Sequence, residues 1–296
     1  MSSAVSPALS LCNRVATKKM TLDVIIALIP ALIAGIVIFG LRALLVSLVC
    51  VVFAVLSEFI YEKLMKKSVT VNDFSAVVTG LLLAYCLPVN IPLWIAGLGS
   101  VVAILVVKQL FGGIGQNFAN PAITARVILL ISFGIEMTGY TIDGISSATP
   151  LSGVNPGLMP LFLGNYAGCI GETCTPALLI GAVYLLIRKV ISWHIPVIYL
   201  ATVAVLSLVT GQDVLLQLMG GGLLLGAVFM ASDPTTSPGS NLCKVIYAVG
   251  CGLLTVMIRL LGSTPEGVSY AILLMNILTP HIEKLDQRKT VGGDAE

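Results

Sequence analysis

Apolar residues gather in blocks of roughly 15–20, separated by short polar or Pro/Gly-marked breaks. The blocks cover 21–40, 43–61, 74–88, 93–110 and 120–135, then 174–188, 195–210, 215–231, 243–261 and 267–282. A helix rises about 1.5 Å per residue, so about 20 apolar residues cross a hydrocarbon core of about 30 Å. The pattern predicts an all-α membrane protein with ten transmembrane helices. The third and eighth blocks are short for a span, and both run into proline-marked loops, "CLPVNIP" and "SDPTTSP".

Composition agrees: 57% of the 296 residues are hydrophobic and 10% charged, with mean hydropathy +1.03. Soluble domains carry about 25% charged residues. A net charge of +2 gives no footing for nucleic acid. The opening "MSSAVSPALSLCNRVATKKM" lacks an apolar core and cleavage site, so it is expected to stay on the chain as a cytoplasmic segment, 1–20. Seven scattered cysteines without a CxxC pair, and two histidines, argue against a zinc or iron–sulfur site held by this chain alone. The cysteines read as packing residues, and a Cys169–Cys174 disulfide ranks below that reading.

Lysine and arginine set the orientation. With a cytoplasmic N-terminus, 13 of the 16 basic residues fall on the inner side, Arg42 and Arg259 on the outer side, and Arg126 inside the fifth helix. Both termini are then cytoplasmic, the tail being 283–296, and the stretch 136–173, free of lysine and arginine, is an outer loop. Asp23 and Glu58, near membrane boundaries, are expected to reach cytoplasmic water. Arg126 is expected to face an interior partner, and His194, after Trp193, to sit at the interface.

"GLLLAYCLP" (80–88) echoes "GLLLGAVFMASDP" (222–234), each followed by one more helix and a Gly/Pro-bearing start to the last span of its half. Two halves of five helices, 21–135 and 174–282, must insert in opposite orientations. Inverted repeats of this kind carry broken helices and binding surfaces near the midplane.

Seven stretches in order resemble one family. They are "LDVIIALIPALIAGI", "SAVVTGLLLAYCLP", "VKQLFGGIGQNFANPA", "DGISSATPLSG", "GNYAGCIGETCTPALLIGAVYLL", "MASDPTTSP" and "PEGVSYAILLMNILTP". Together they are similar to RnfD, a membrane component of Rnf electron-transport complexes, related to NqrB. The chain departs from the family's usual pattern at Phe74 (commonly glycine), Ala119 (commonly aromatic) and Cys174 (serine in "GETS").

The resemblance implies that "DGISSAT" is a flavinylation motif, with a flavin transferase attaching FMN by its phosphate to Thr149. A hydroxyl nucleophile suits that chemistry. Asp143, Gly144, Ser146, Ser147 and Ala148 would accompany it, the small ones easing passage into the transferase. Glu172 and Thr173 either cap the sixth helix or contact FMN. "FGGIGQN" (111–117) lacks the Lys-Ser/Thr of a phosphate-binding loop; Asn117 and Asn120 either bond exposed backbone at a tight helix start or contact a non-covalent riboflavin. Asp233 lines an ion path or caps a turn. No basic residue of the outer loop can favour reduced flavin, leaving backbone N–H groups at the start of the sixth helix for that role.

The family reading implies a cell-membrane component of an ion-translocating ferredoxin:NAD oxidoreductase, coupled to Na+ or H+ movement. Its implied partners are the other Rnf proteins, RnfA, RnfB, RnfC, RnfE and RnfG, with electrons arriving from the FMN of RnfG on the outer face. The rival class is a solute transporter or channel on the same inverted-repeat plan. A structural scaffold leaves the attachment-type loop unexplained.

Overall fold

The computed structural model describes residues 7–142, 145–146, 149–153, 156–262 and 267–292. The first half comprises α1 (Pro7–Phe39), α2 (Leu41–Leu64), α3 (Ser75–Tyr85), α4 (Leu93–Val102) and α5 (Pro121–Ser132). α4 continues as a π-helix over Ala103–Gln109. Next come α6 (Gly134–Thr138), a hairpin pairing Thr141–Ile142 with Ile145–Ser146, and α7 (Leu158–Leu163). The second half holds α8 (Thr175–Ile187), α9 (His194–Val209), α10 (Val214–Met219), α11 (Leu223–Leu225), α12 (Asn241–Leu261) and α13 (Gly267–Gly292). α11 runs on as a π-helix over Gly226–Met230.

Every apolar block coincides with helix, the eighth as two pieces broken at Gly220–Gly222. Thr17–Phe39, Leu41–Leu64 and Asn241–Leu261 are long and apolar enough to cross a membrane by length and composition. α3, by contrast, is 11 residues, about 16 Å of helix and half a hydrocarbon core. Cys86, Leu87 and Val89 stay buried beyond its end. Their backbone is met by the segment before α8, where Ile170 N–H donates to Leu87 O (3.0 Å) and Gly171 N–H to Tyr85 O (3.1 Å). Buried peptide groups require such partners.

Helix outruns the apolar pattern at both chain ends. α1 starts at Pro7, a residue suited to the first helical position, and α13 continues to Gly292. Alanine, lysine, arginine and glutamine favour helix without being apolar, so "RVATKKM" and "KLDQRK" extend it.

α2 packs on α3 and α4, and α9 packs on α12 and the π-helix after α11. The halves meet where α1 lies on α8 and α5 on α13. Asp23 ties the first seam. It is 6% exposed, accepts from Tyr184 Oη (2.9 Å), and pairs with Arg188 Nε and Nη2 (both 3.2 Å). Glu58 is 0% exposed, paired with Lys108. Neither acid stands free in water as expected: Glu58 is paired with a buried lysine, and Asp23 is covered by Arg188, whose own side chain stays 42% exposed. His194 stacks on Trp193 at 4.1 Å between ring centroids.

Candidate functional site

Two clefts flank the broken helix. The first lies at Gly221 and is narrow, with room for about 10 Å³, beside Thr149, Arg126, Tyr140, Tyr166 and Glu172. Thr149 is half-buried and extended (φ −68°, ψ 156°), and Pro150 after it begins a 3-10 turn over Pro150–Ser152. Leu151 of that turn rests on the glycines of the break: a Cβ on Gly221 would lie 2.4 Å from Leu151 Cδ1. Asp143, Gly144, Ser147 and Ala148 lie outside the described residues. Ser146 is in the hairpin opposite Thr141.

Glu172 is fixed by its neighbours. Gly171 lies so close to Tyr85 that a Cβ would come within 2.2 Å of the ring's Cγ. Glu172 is 5% exposed; Oε1 accepts from Cys169 N–H (3.1 Å), and Oε2 has no hydrogen-bond partner among the described residues. Oε2 lies against Gly222, where a Cβ would approach it to 2.5 Å. The carboxylate therefore closes a turn and does not cap the sixth block's helix. That cap is Cys174, which makes no side-chain bond to the helix. Thr173 is fully buried against Gly168 and is absent from the cleft's lining, and its Oγ1 has no partner among the described residues.

Positive charge comes from a helix, not from the loop. Arg126 of α5 is 5% exposed and is among the residues that line the cleft. Nη1 donates to Ser269 Oγ (3.0 Å) and Nη2 to Cys169 Sγ (3.6 Å). Arg259 of α12 holds the helix break, donating to Gln217 O (2.7 Å), Gln217 Oε1 (2.9 Å) and Gly220 O (3.0 Å). An ionisable residue within an apolar block marks function by default; that signal was present at Arg126, but sequence alone did not connect it with Thr149. Burial, reinforced by the charge of Glu172, pushes the Tyr166 hydroxyl and the Cys169 thiol well above their ordinary ranges. Both groups are neutral near pH 7.

The second cleft is larger, about 250 Å³, between α1, α3, the start of α5, the end of α8 and the second π-helix with the residues after it. Its walls include Val24, Leu82 and Phe229, and its polar groups include Lys108, Asn117 and Asp233. Asn117 Oδ1 is buried and has no partner among the described residues. Asn120 is used otherwise: Oδ1 caps α5 by accepting from Ala122 N–H (3.0 Å) and Ile123 N–H (3.3 Å), and Nδ2 reaches Asp233 Oδ2 at 3.5 Å. The structure thus puts Asn117 on the cleft and Asn120 behind it. Asp233 accepts from Thr235 N–H (3.1 Å) and Thr235 Oγ1 (2.9 Å). Burial raises its carboxyl above the usual value, opposed by those bonds.

Among the described residues no cluster of three or more His, Cys, Asp or Glu side chains is arranged to hold a metal ion. Among the described residues six cysteines are free thiols, Cys169 and Cys174 included.

Fold and clefts define a helical membrane protein with a half-buried threonine at one narrow cleft and a second, roomier cleft walled mainly by apolar residues. The chain belongs to the NQR2, RnfD, RnfE family, whose model matches residues 5–292. It is 48% identical over 289 residues to the D component of the Na+-translocating ferredoxin:NAD+ oxidoreductase complex of Acetobacterium woodii, covering 93% of this chain and 91% of that protein. It is 39% identical to the proton-translocating counterpart of Clostridium ljungdahlii (93% and 91% covered). The D component of the ion-translocating oxidoreductase complex of Escherichia coli O81 is 35% identical (95% and 96% covered).

Proposed function

We propose that this chain is the RnfD component of an ion-translocating ferredoxin:NAD+ oxidoreductase of the cell membrane, crossing it ten times as two inverted five-helix repeats, with both termini cytoplasmic. The family match over nearly the whole chain supports the assignment. The matching helix contacts of the two halves support the repeat. In this reading Thr149 carries FMN in phosphoester linkage, and the second cleft takes riboflavin. The observation that carries it is that Thr149 and Arg126 line the same cleft.

Bound flavin supplies reversible electron transfer; the protein supplies position and electrostatics. Ligand pockets typically enclose about 300–1,000 Å³. The Thr149 cleft has room for only about 10 Å³, so it would seat at most the phosphate at the attachment end of FMN and leave the ring to a neighbouring protein, the FMN-bearing RnfG in this reading. Arg126 balances the negative phosphodiester, as guanidinium groups do for phosphate. In the second cleft the unpartnered Asn117 Oδ1 offers an acceptor for a ring N–H, and Phe229 and Leu82 offer apolar walls.

Co-expression with a flavin transferase, followed by denaturing gel electrophoresis, is expected to give a fluorescent band. Thr149→Val abolishes the band, and intact mass shows an FMN-sized increment only in the wild type. An unmodified wild-type chain from a host with proven transferase activity defeats the proposal. A transporter of this architecture would also give a dark band.

A further inference from the structure

Lys108 stands at the end of the first π-helix, a form that often marks functional positions. It is 2% exposed and borders the second cleft. An ammonium has three N–H donors. One goes to Glu58 Oε1 and one to Ser75 Oγ, each at 2.5 Å. Gln109 Nε2 also donates to Glu58 Oε1, at 2.9 Å. These bonds account for two of its three N–H groups and leave one donor uncommitted among the bonds of the described residues. The same cleft holds the converse defect, since Asn117 Oδ1 lacks a donor there.

A charged donor and a neutral acceptor in one apolar-walled cleft match a ring edge that carries C=O beside N–H. The pyrimidine edge of an isoalloxazine has that pattern. We propose that Lys108 donates its third N–H to the N1–C2=O edge of a flavin in this cleft and sets that flavin's electron affinity. This rests on reading the cleft as a flavin site. Negative charge gathers at that edge on reduction, and cations near it favour the reduced form. Glu58 opposes the effect by neutralising part of the Lys108 charge. The pair works as a graded electrostatic setting in which the carboxylate restrains the ammonium.

The test is a redox titration of riboflavin in the purified complex containing this chain, with flavin content measured by extraction. Lys108→Met weakens binding of reduced relative to oxidised riboflavin by roughly ten- to hundred-fold, the range expected for a bond to a charged donor. It is read as a lower midpoint potential. Lys108→Arg retains most of the wild-type potential. Glu58→Gln raises the potential, and this rise disappears in the Lys108→Met background. An unchanged potential in flavin-retaining Lys108→Met overturns the proposal, as does equal weakening of both oxidation states. Wild-type complex that retains no riboflavin would instead refute the cleft assignment itself.

Discussion

Lys108 Nζ lies 2.5 Å from Glu58 Oε1, on side chains 2% and 0% exposed, so an ion pair joins α2 to the end of α4 inside the bundle. Removing water from two charges is costly, and the pair persists because Ser75 and Gln109 add hydrogen bonds. Glu58→Ala leaves a buried ammonium without its counterion and is expected to lower stability by about 3–5 kcal/mol. The double substitution Glu58→Gln with Lys108→Met costs less than either loss of charge alone. Thermal unfolding in detergent measures both; an additive double substitution would sink the account.

Gly171 approaches the Tyr85 ring too closely for a side chain, and its N–H is bonded to Tyr85 O. Gly171→Ala forces a shift of the ring or of the segment. A loss of about 1–3 kcal/mol is expected from overpacking, with Glu172 displaced from the Thr149 cleft. Denaturation midpoints report the first effect. The second appears as reduced flavin fluorescence in gels, provided Thr149 is the attachment point.

Cys174 has the extended geometry of a helix N-cap (φ −84°, ψ 95°) yet makes no capping bond. The family's serine at this position supplies a hydroxyl acceptor. Cys174→Ser is expected to stabilise the protein by about 0.5–1 kcal/mol, read as a higher melting temperature. A lower one would show that the thiol's packing outweighs the cap.

Asp233 carries a pH signature. Its folded-state carboxyl is raised above 3.8 by burial, so the folded form holds its proton more tightly than the unfolded chain does. The associated stability is complete below 3.8 and is lost as pH rises through the raised value. Asp233→Asn keeps an acceptor for Thr235 without the titration. Melting temperatures of the two proteins should change in parallel at low pH and diverge above it, the wild type falling relative to the variant. Parallel curves throughout would exclude this sign.

Helix placement was legible because apolar block length is a strong signal, surviving even at α10 and α11, where three glycines interrupt it. Endings were less legible. α3 stops at Tyr85 because the buried stretch after it bonds to residues 169–171, a pairing between segments over 80 residues apart that no local pattern records. Distance in sequence also hid the arginine beside Thr149, since Arg126 and the loop look independent until folded. Asn117 and Asn120, three residues apart and alike in chemistry, divide into a cleft-lining side chain and a helix cap. Phe74 shows the opposite case. Its departure from glycine was visible, and the structure gives the meaning: φ is +61°, a left-handed conformation that glycine adopts without cost. Here Lys18 lies over the ring, 5.3 Å from its centroid, and partly offsets the strain.

The broken helix has one last consequence. Its second piece touches Glu172 through Gly222 at one end and leads to Asp233 at the other, with residues 223–230 between. At about 1.5 Å per residue, the rod is about 12 Å long. Two unit charges at that separation interact by about 1.4 kcal/mol at an effective dielectric of about 20, a tenfold effect on an equilibrium. An anion at one end therefore penalises an anion at the other, and the two clefts are coupled through field alone, with every helix standing still.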